Sequence, residues 1–441
     1  MSIIMHYDLA TNFDEELIDF VAKNDTKKQI KSVFGKLKSD ITGGGRASFL
    51  LPEISMEQLE SYIKKCNAAD IEFNYLFNPL TLNDSMSNPA KNHDFTEFVD
   101  RLYEVGVRSA TVNSPLLCKY LKSKYSDFRV TVGLYAYPTS IQMIQYWINI
   151  GADEITVDHA FNRDIPLLRS TLQTFKDTDV KIRLIANNFC LHGCAYKIDH
   201  AAHLGASSVS GRISGGNNVD YYLLNCTYNK VTKPAVMLCS DWIRPEDVHL
   251  YTELMEETGN TNLTLKLVER TRTTEFLERV TKAYLDERFD GNLLSLLNWS
   301  KSDEMVFRQN DQGGRHAGAP AGAPPADAQG GKPPVPPFDI EVLQKYGRSM
   351  KYPDIYIDNR KLDGFADHFF KSAECRSKLC GANLVDADSK NHSLCNYCNN
   401  WAKKAVSCNR EEVESWKKNT EEVLGAIETR KIFNHDFRAG I

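Results

Sequence analysis

VRSATVN (residues 107–113) and ADEITVD (residues 152–158) are short apolar runs, and each directly follows a glycine, Gly106 or Gly151. A glycine just past an amphipathic stretch ends a helix, because it takes the left-handed backbone that satisfies the last carbonyls. Helix, glycine, buried strand and a polar residue at the strand's end is therefore the repeating unit. Working outward, the same alternation predicts strands at Ile4–Tyr7, Ser48–Leu51, Glu72–Leu76, Ser109–Val112, Arg129–Leu134, Glu154–Val157, Ile182–Ala186, Ser207–Val209 and Thr264–Val268. Helical patterns fall between them at Met56–Asn67, Phe95–Val105, Ser114–Tyr125, Ser140–Ile150, Ile165–Phe175 and Thr274–Glu287. Strands separated by helices imply a parallel sheet with crossover helices. About eight such units in about 300 residues fit a (β/α)8 barrel. No G-x-G-x-x-G follows a first strand, which counts against a dinucleotide-binding sheet.

A barrel places its chemistry where strands end. That rule selects Asn78, Asn113, Tyr135, Asp158, Asn187, Asn188, Cys190, Lys266 and Arg270. Cys190 and Cys194 stand in NNFCLHGCAYKIDH (187–200), directly after the predicted strand ending at Ala186, and Cys226 and Cys239 follow. The C-x3-C spacing suits neither a C-x-x-C redox pair nor a radical S-adenosylmethionine motif, since Lys197 stands where a third thiol would be needed. Four thiolates gathered from several loops could hold zinc or an iron–sulfur cluster at the barrel mouth. His192, His200 and His203 lie beside them as candidate ligands or proton carriers. The run ITGGGRAS around Arg46 could bring backbone N–H groups and a guanidinium to an anion. Lys27, Lys28, Lys31, Lys36 and Lys38 form a basic run that reads as a solvated face.

Residues 311–338 hold seven of the sixteen prolines and six of the 25 glycines, with Val335 and Phe338 as their only large apolar residues. Such a segment cannot bury enough surface to offset its ordering entropy. The expected organisation is a barrel over 1–300, a flexible Pro/Gly/Ala-rich linker over 301–338 and a small α-rich domain over 339–441. The last contains Cys375-x4-Cys380-x14-Cys395-x2-Cys398, a four-thiolate layout for zinc or an iron–sulfur cluster. So small a domain gains folding energy from a metal. Its tail reads as an amphipathic helix over 410–431 with Val413, Trp416, Val423, Leu424 and Ile427 as the apolar stripe. Cys66 and Cys118 read as core residues, and Cys408 is spare.

The 441 residues carry a net charge of −5, with no global attraction to nucleic acid or anionic membrane. No signal peptide and no membrane-length apolar run is apparent. The expected location is the cytosol, where eleven cysteines are better read as ligands, reactive thiols or core than as disulfides.

Five stretches together resemble the family historically called peptidase U32: VFGKLKSDITGGGRASFLLPEIS, IEFNYLFN, NNFCLHGCAYKIDHAAH, SDWIRPEDVHLYTEL and LKLVERTRTTEFLERVTKAYLDERFDGNLL. The resemblance covers roughly residues 30–295 and leaves out the C-terminal cysteines. It implies a barrel with a 4Fe-4S cluster on Cys190, Cys194, Cys226 and Cys239, and oxygen-independent hydroxylation or a related modification of a small molecule, peptide or RNA. Arg46 and Arg270 would bind substrate anions, His192 or Asp158 would handle protons, and a protein electron donor would be the partner. The family also contains chains labelled proteases, so a U32-type hydrolase is the alternative. Neither G-x-S-x-G nor H-E-x-x-H is present to support it. A non-catalytic, metal-stabilised binding protein is the third reading.

Overall fold

A computed structural model describes residues 3–46, 50–209, 219–297, 299, 337–372, 375, 378–382 and 394–435. The linker expected over 301–338 lies, up to residue 336, outside the described residues. Eight strands close into a parallel barrel in sequence order: β1 (His6–Ala10), β2 (Ile30–Gly35), β3 (Glu72–Phe77), β4 (Ser109–Val112), β5 (Arg129–Val132), β6 (Glu154–Thr156), β7 (Lys181–Ile185) and β8 (Leu263–Leu267). β1 pairs with β8 to complete the ring. The (β/α)8 architecture read from the alternation is the observed one.

Two predicted strands are not strands, and one strand escapes the sequence pattern. Leu50 and Leu51 lie outside any strand, and Ser48 and Phe49 are outside the described residues. Ser207 ends a helix, and Val209 makes only an isolated bridge to Asp40. The missing strand is β2, IKSVFG, whose lysine and serine break its apolar run. Ser32 points into the barrel and donates to Asp8 Oδ1 at 2.6 Å. The barrel interior is polar at this level. Arg183 binds Asp8 Oδ2 at 3.1 Å and Glu154 Oε2 at 2.8 Å and donates to Thr156 Oγ1, so the buried guanidinium is fully matched. Lys36, read as part of a solvated face, is buried and paired with Asp40 at 2.7 Å. A charged residue escapes burial only when no partner waits inside, and here one does.

Helices α1 (Glu15–Asn24), α2 (Met56–Ala68), α3 (Pro89–Glu104), α4 (Pro115–Lys124), α5 (Ile141–Asn149) and α6 (Ile165–Thr174) follow the first six strands. Side chains cap them where the turn chemistry predicts; Ser55, for example, forms a capping box with Gln58. The β7–β8 connection is longer and carries α7 (Lys197–Ser207), α8 (Tyr221–Thr232), α9 (Pro234–Cys239) and α10 (Val248–Thr258), and α11 (Thr274–Leu285) follows β8. All four cysteines expected at the barrel mouth belong to that one excursion.

The C-terminal residues pack onto the barrel. They form α12 (Ile340–Ser349), β9 (Ile355–Ile357), α13 (Asp367–Lys371), β10 (Leu379–Cys380), β11 (Leu394–Cys395), α14 (Tyr397–Ala405), β12 (Val406–Cys408) and α15 (Arg410–Glu428). Ile355, Ile357, Leu362, Phe365 and Phe369 share one continuous buried core with the barrel. Trp242 stacks on Phe365 with ring centroids 5.4 Å apart. Arg244 donates to the Asn359 carbonyl at 2.9 Å, and α15 lays its predicted apolar stripe toward α12 and α8. No helix among the described residues is long and apolar enough to cross a membrane.

Candidate active site

A cavity of about 500 Å3 opens at the C-terminal end of the barrel. Every strand-end residue singled out above lines it except Asn187. Asn187 is structural: its amide donates to the carbonyls of Val268 and Leu296 at 2.9 and 3.0 Å.

One wall is cationic. Arg46 meets the Glu269 carboxylate in a two-pronged pair, Nε–Oε1 3.1 Å and Nη2–Oε2 3.3 Å. Burial alone would raise the Glu269 carboxyl, but Arg46 and then Arg272 overcome it and hold it at about 2. Glu269 has φ 124°, a strained backbone for a residue with a side chain, fixed just past β8. Arg270 beside it is buried, yet Nη1 and Nη2 have no hydrogen-bond partner. Burial and the neighbouring Arg46 bring the Arg270 pKa down to about 10. The side-chain oxygens of Asn78 and Asn113 are likewise buried without donors. Lys266 completes this wall over the Phe34 ring at 3.8 Å, its amine driven well below the usual lysine range by burial and Arg183.

Two amides of the glycine run are committed: Asp40 Oδ1 takes the Gly43 N–H at 2.9 Å, and Ser208 Oγ takes that of Gly44 at 2.7 Å. Gly45 and Arg46 of the same run line the cavity.

The same cavity carries thiols. Cys190, Cys194 and Cys226 all line the cavity. They stand close enough to act on one another electrostatically: Cys226 and Cys190 help raise Cys194, and Cys190 helps raise Cys226. Cys190 is exposed to this cavity, beside His159. Burial opposes its ionisation, but the His159 bond and charge bring its pKa down to about 6. Asn188 Nδ2 lies against both nitrogens of the His159 ring. Lys230 is buried nearby, donating to the Phe189 carbonyl.

The other predicted residues fall as follows. Asp158 caps the turn at His159–Asn162 and binds Lys197 at 2.7 Å, so its carboxylate is committed. His192 bonds Asp241 at 3.0 Å, and this pair faces both the large cavity and a second, small one. His200 reaches Asp220 at 3.2 Å and stacks on Tyr222, while His203 meets the same ring edge-on. Cys239 leaves the other three. It ends α9 on the far side of the His192–Asp241 pair and lines the small cavity with Cys375, Cys380, Cys395 and Cys398. Cys190, Cys194 and Cys226 thus line the large cavity and Cys239 the small one, and among the described residues no three His, Cys, Asp or Glu side chains are grouped to hold a metal ion. Sequence reasoning misses His159, Lys230 and Glu269. The first lies one residue beyond the strand-end Asp158, so the same rule extended by one position finds it.

No family model matches the chain. The uncharacterized protease MJ1657 of Methanocaldococcus jannaschii is 23% identical over 370 residues, spanning 83% of this chain and 86% of that protein. The chain is homologous to that protein. Among solved structures, the U32 peptidase Mk0906 is similar at a TM-score of 0.42 with 16% identity, over 61% of this chain and 94% of that one. A citrate synthase variant, SbnG, follows at 0.26 with 12% identity, over 41% and 76%.

Proposed function

We propose that the chain is a U32-type enzyme that modifies an anionic small molecule, peptide or RNA at the barrel mouth, with an iron–sulfur group on Cys190, Cys194 and Cys226. The observation that carries this reading is one cavity lined both by three thiols and by a buried guanidinium whose terminal nitrogens have no hydrogen-bond partner. The iron–sulfur group would supply electrons for chemistry without molecular oxygen, drawn from a protein donor. Arg270 binds the substrate's anionic group, in a site where excluded water strengthens the pair. Asn78 and Asn113 accept hydrogen bonds from substrate donors. Arg46 is held rigid by Glu269 and shapes the wall. His159 holds or moves a proton beside Cys190.

One observation favours a second reading, a thiol hydrolase: Cys190, His159 and Asn188 form a chain of nucleophile, base and orienting amide. The homologue's name, a protease, points the same way. One experiment separates the two. The full chain is purified without oxygen, and its iron and sulfide are measured for the wild type and Cys226→Ala. Iron and sulfide in the wild type that fall in the variant support the first reading. A metal-free wild type that cleaves peptides and loses that activity with Cys190→Ala establishes the second.

A further inference from the structure

Five thiols from two parts of the chain meet at the small cavity. Cys239 comes from the end of α9 on the barrel. Cys380 and Cys395 lie directly opposite each other in the β10–β11 pair. Cys398 stands in the first turn of α14, and Cys375 follows α13. Cys239 is hydrogen-bonded to Cys380, and Cys398 feels Cys380, Cys375 and Cys395. Helix α14, which carries Cys398, packs on α9, which carries Cys239. The thiols thus converge because the C-terminal residues dock, and docking brings a barrel cysteine into the C-terminal set.

We propose that these residues bind one zinc-class cation, with Cys239 as a ligand from the barrel, so that the metal clamps the C-terminal elements to it. Three observations lead there. Five thiols exceed the four that a tetrahedral structural site requires. The cavity, about 20 Å3, admits a single ion. A void of roughly 10–15 Å3 already holds one water. Charge is also balanced: a divalent ion on four thiolates is anionic, and Arg163 and Lys378 line the same cavity. Arg163 is locked there by bonds to the Leu238 and Trp242 carbonyls at 2.7 and 3.3 Å and by the Trp242 and Phe369 rings. Among the described residues no three His, Cys, Asp or Glu side chains yet stand at metal-ligand distance. The site is a set of five thiols lining one cavity.

The test uses the full-length chain purified without oxygen, with zinc, iron and sulfide measured together. About one zinc per chain is expected, lost in Cys239→Ala and in Cys398→Ala and kept in Cys226→Ala and Cys66→Ala. Zinc unaffected by Cys239→Ala overturns the proposal, and so does iron with sulfide bound by these cysteines in its place. Iron lost only from Cys226→Ala reports on the barrel site, so the two readings fail independently. If the alanine variants do not fold, cobalt loaded into the wild type and into Cys239→His decides: the thiolate-to-cobalt absorption must weaken in the variant, and an unchanged spectrum excludes Cys239 as a ligand.

Discussion

Both terminal nitrogens of Arg270 are buried without a partner, and Arg46 stands beside them. A buried donor without an acceptor carries a cost, and a bound anion would offset it. The guanidinium's lowered pKa means the charged form is disfavoured in the fold, a penalty present at neutral pH and relieved only as pH rises through about 10. Arg270→Met should therefore stabilise the ligand-free chain, by about 1–3 kcal/mol in urea unfolding. The same variant should lose the rise in midpoint that phosphate or a carboxylate ligand gives the wild type. A destabilised Arg270→Met would instead make the guanidinium a structural element. Arg46 is the contrasting case: it already holds a carboxylate, so its removal leaves buried Glu269 with only Arg272 and the Thr271 hydroxyl to offset its charge.

At the scale of elements, the loop between β2 and α2 shows how local backbone serves the site. Gly43 has φ 75°, and a Cβ there would lie 2.5 Å from the Gly205 carbonyl oxygen, which is backbone and cannot yield. Gly259, the C-cap of α10, has φ 66° with open space around it. The two should separate strain from collision. Gly259→Ala is expected to cost about 1 kcal/mol, from backbone strain alone. Gly43→Ala is expected to cost about 2–3 kcal/mol, since strain and collision add and the loop also carries the Lys36–Asp40 pair. Equal midpoints for the two variants in urea would contradict the packing of this loop on α7.

For the whole molecule, the question is whether the C-terminal elements stand alone. The composition of residues 311–336 marks a segment open to proteases. The structure adds that the elements after it share the barrel's core, through Phe365, Phe369, Val413 and Trp416. Limited proteolysis within that segment should therefore yield two fragments that co-elute on gel filtration and part only in denaturant. Fragments that separate under native conditions would show that the shared core is too weak to hold them.

The alternation of buried strands, glycine-ended helices and polar strand ends was enough to read the barrel and most of its cavity wall, because both depend on local periodicity and on where a strand stops. The apolar stripe of α15 was legible for the same reason. Partnership was not. Lys31 and Ser32 hid β2, since only the closed barrel shows that Asp8 awaits Ser32 and that Asp40 awaits Lys36. The cysteine spacing placed Cys239 with Cys226, a few turns away in sequence. The tertiary structure puts the His192–Asp241 pair between them and gives Cys239 to thiols more than a hundred residues later. Which side chains share a cavity is set by how helices dock, and docking is decided by surfaces far apart in the chain.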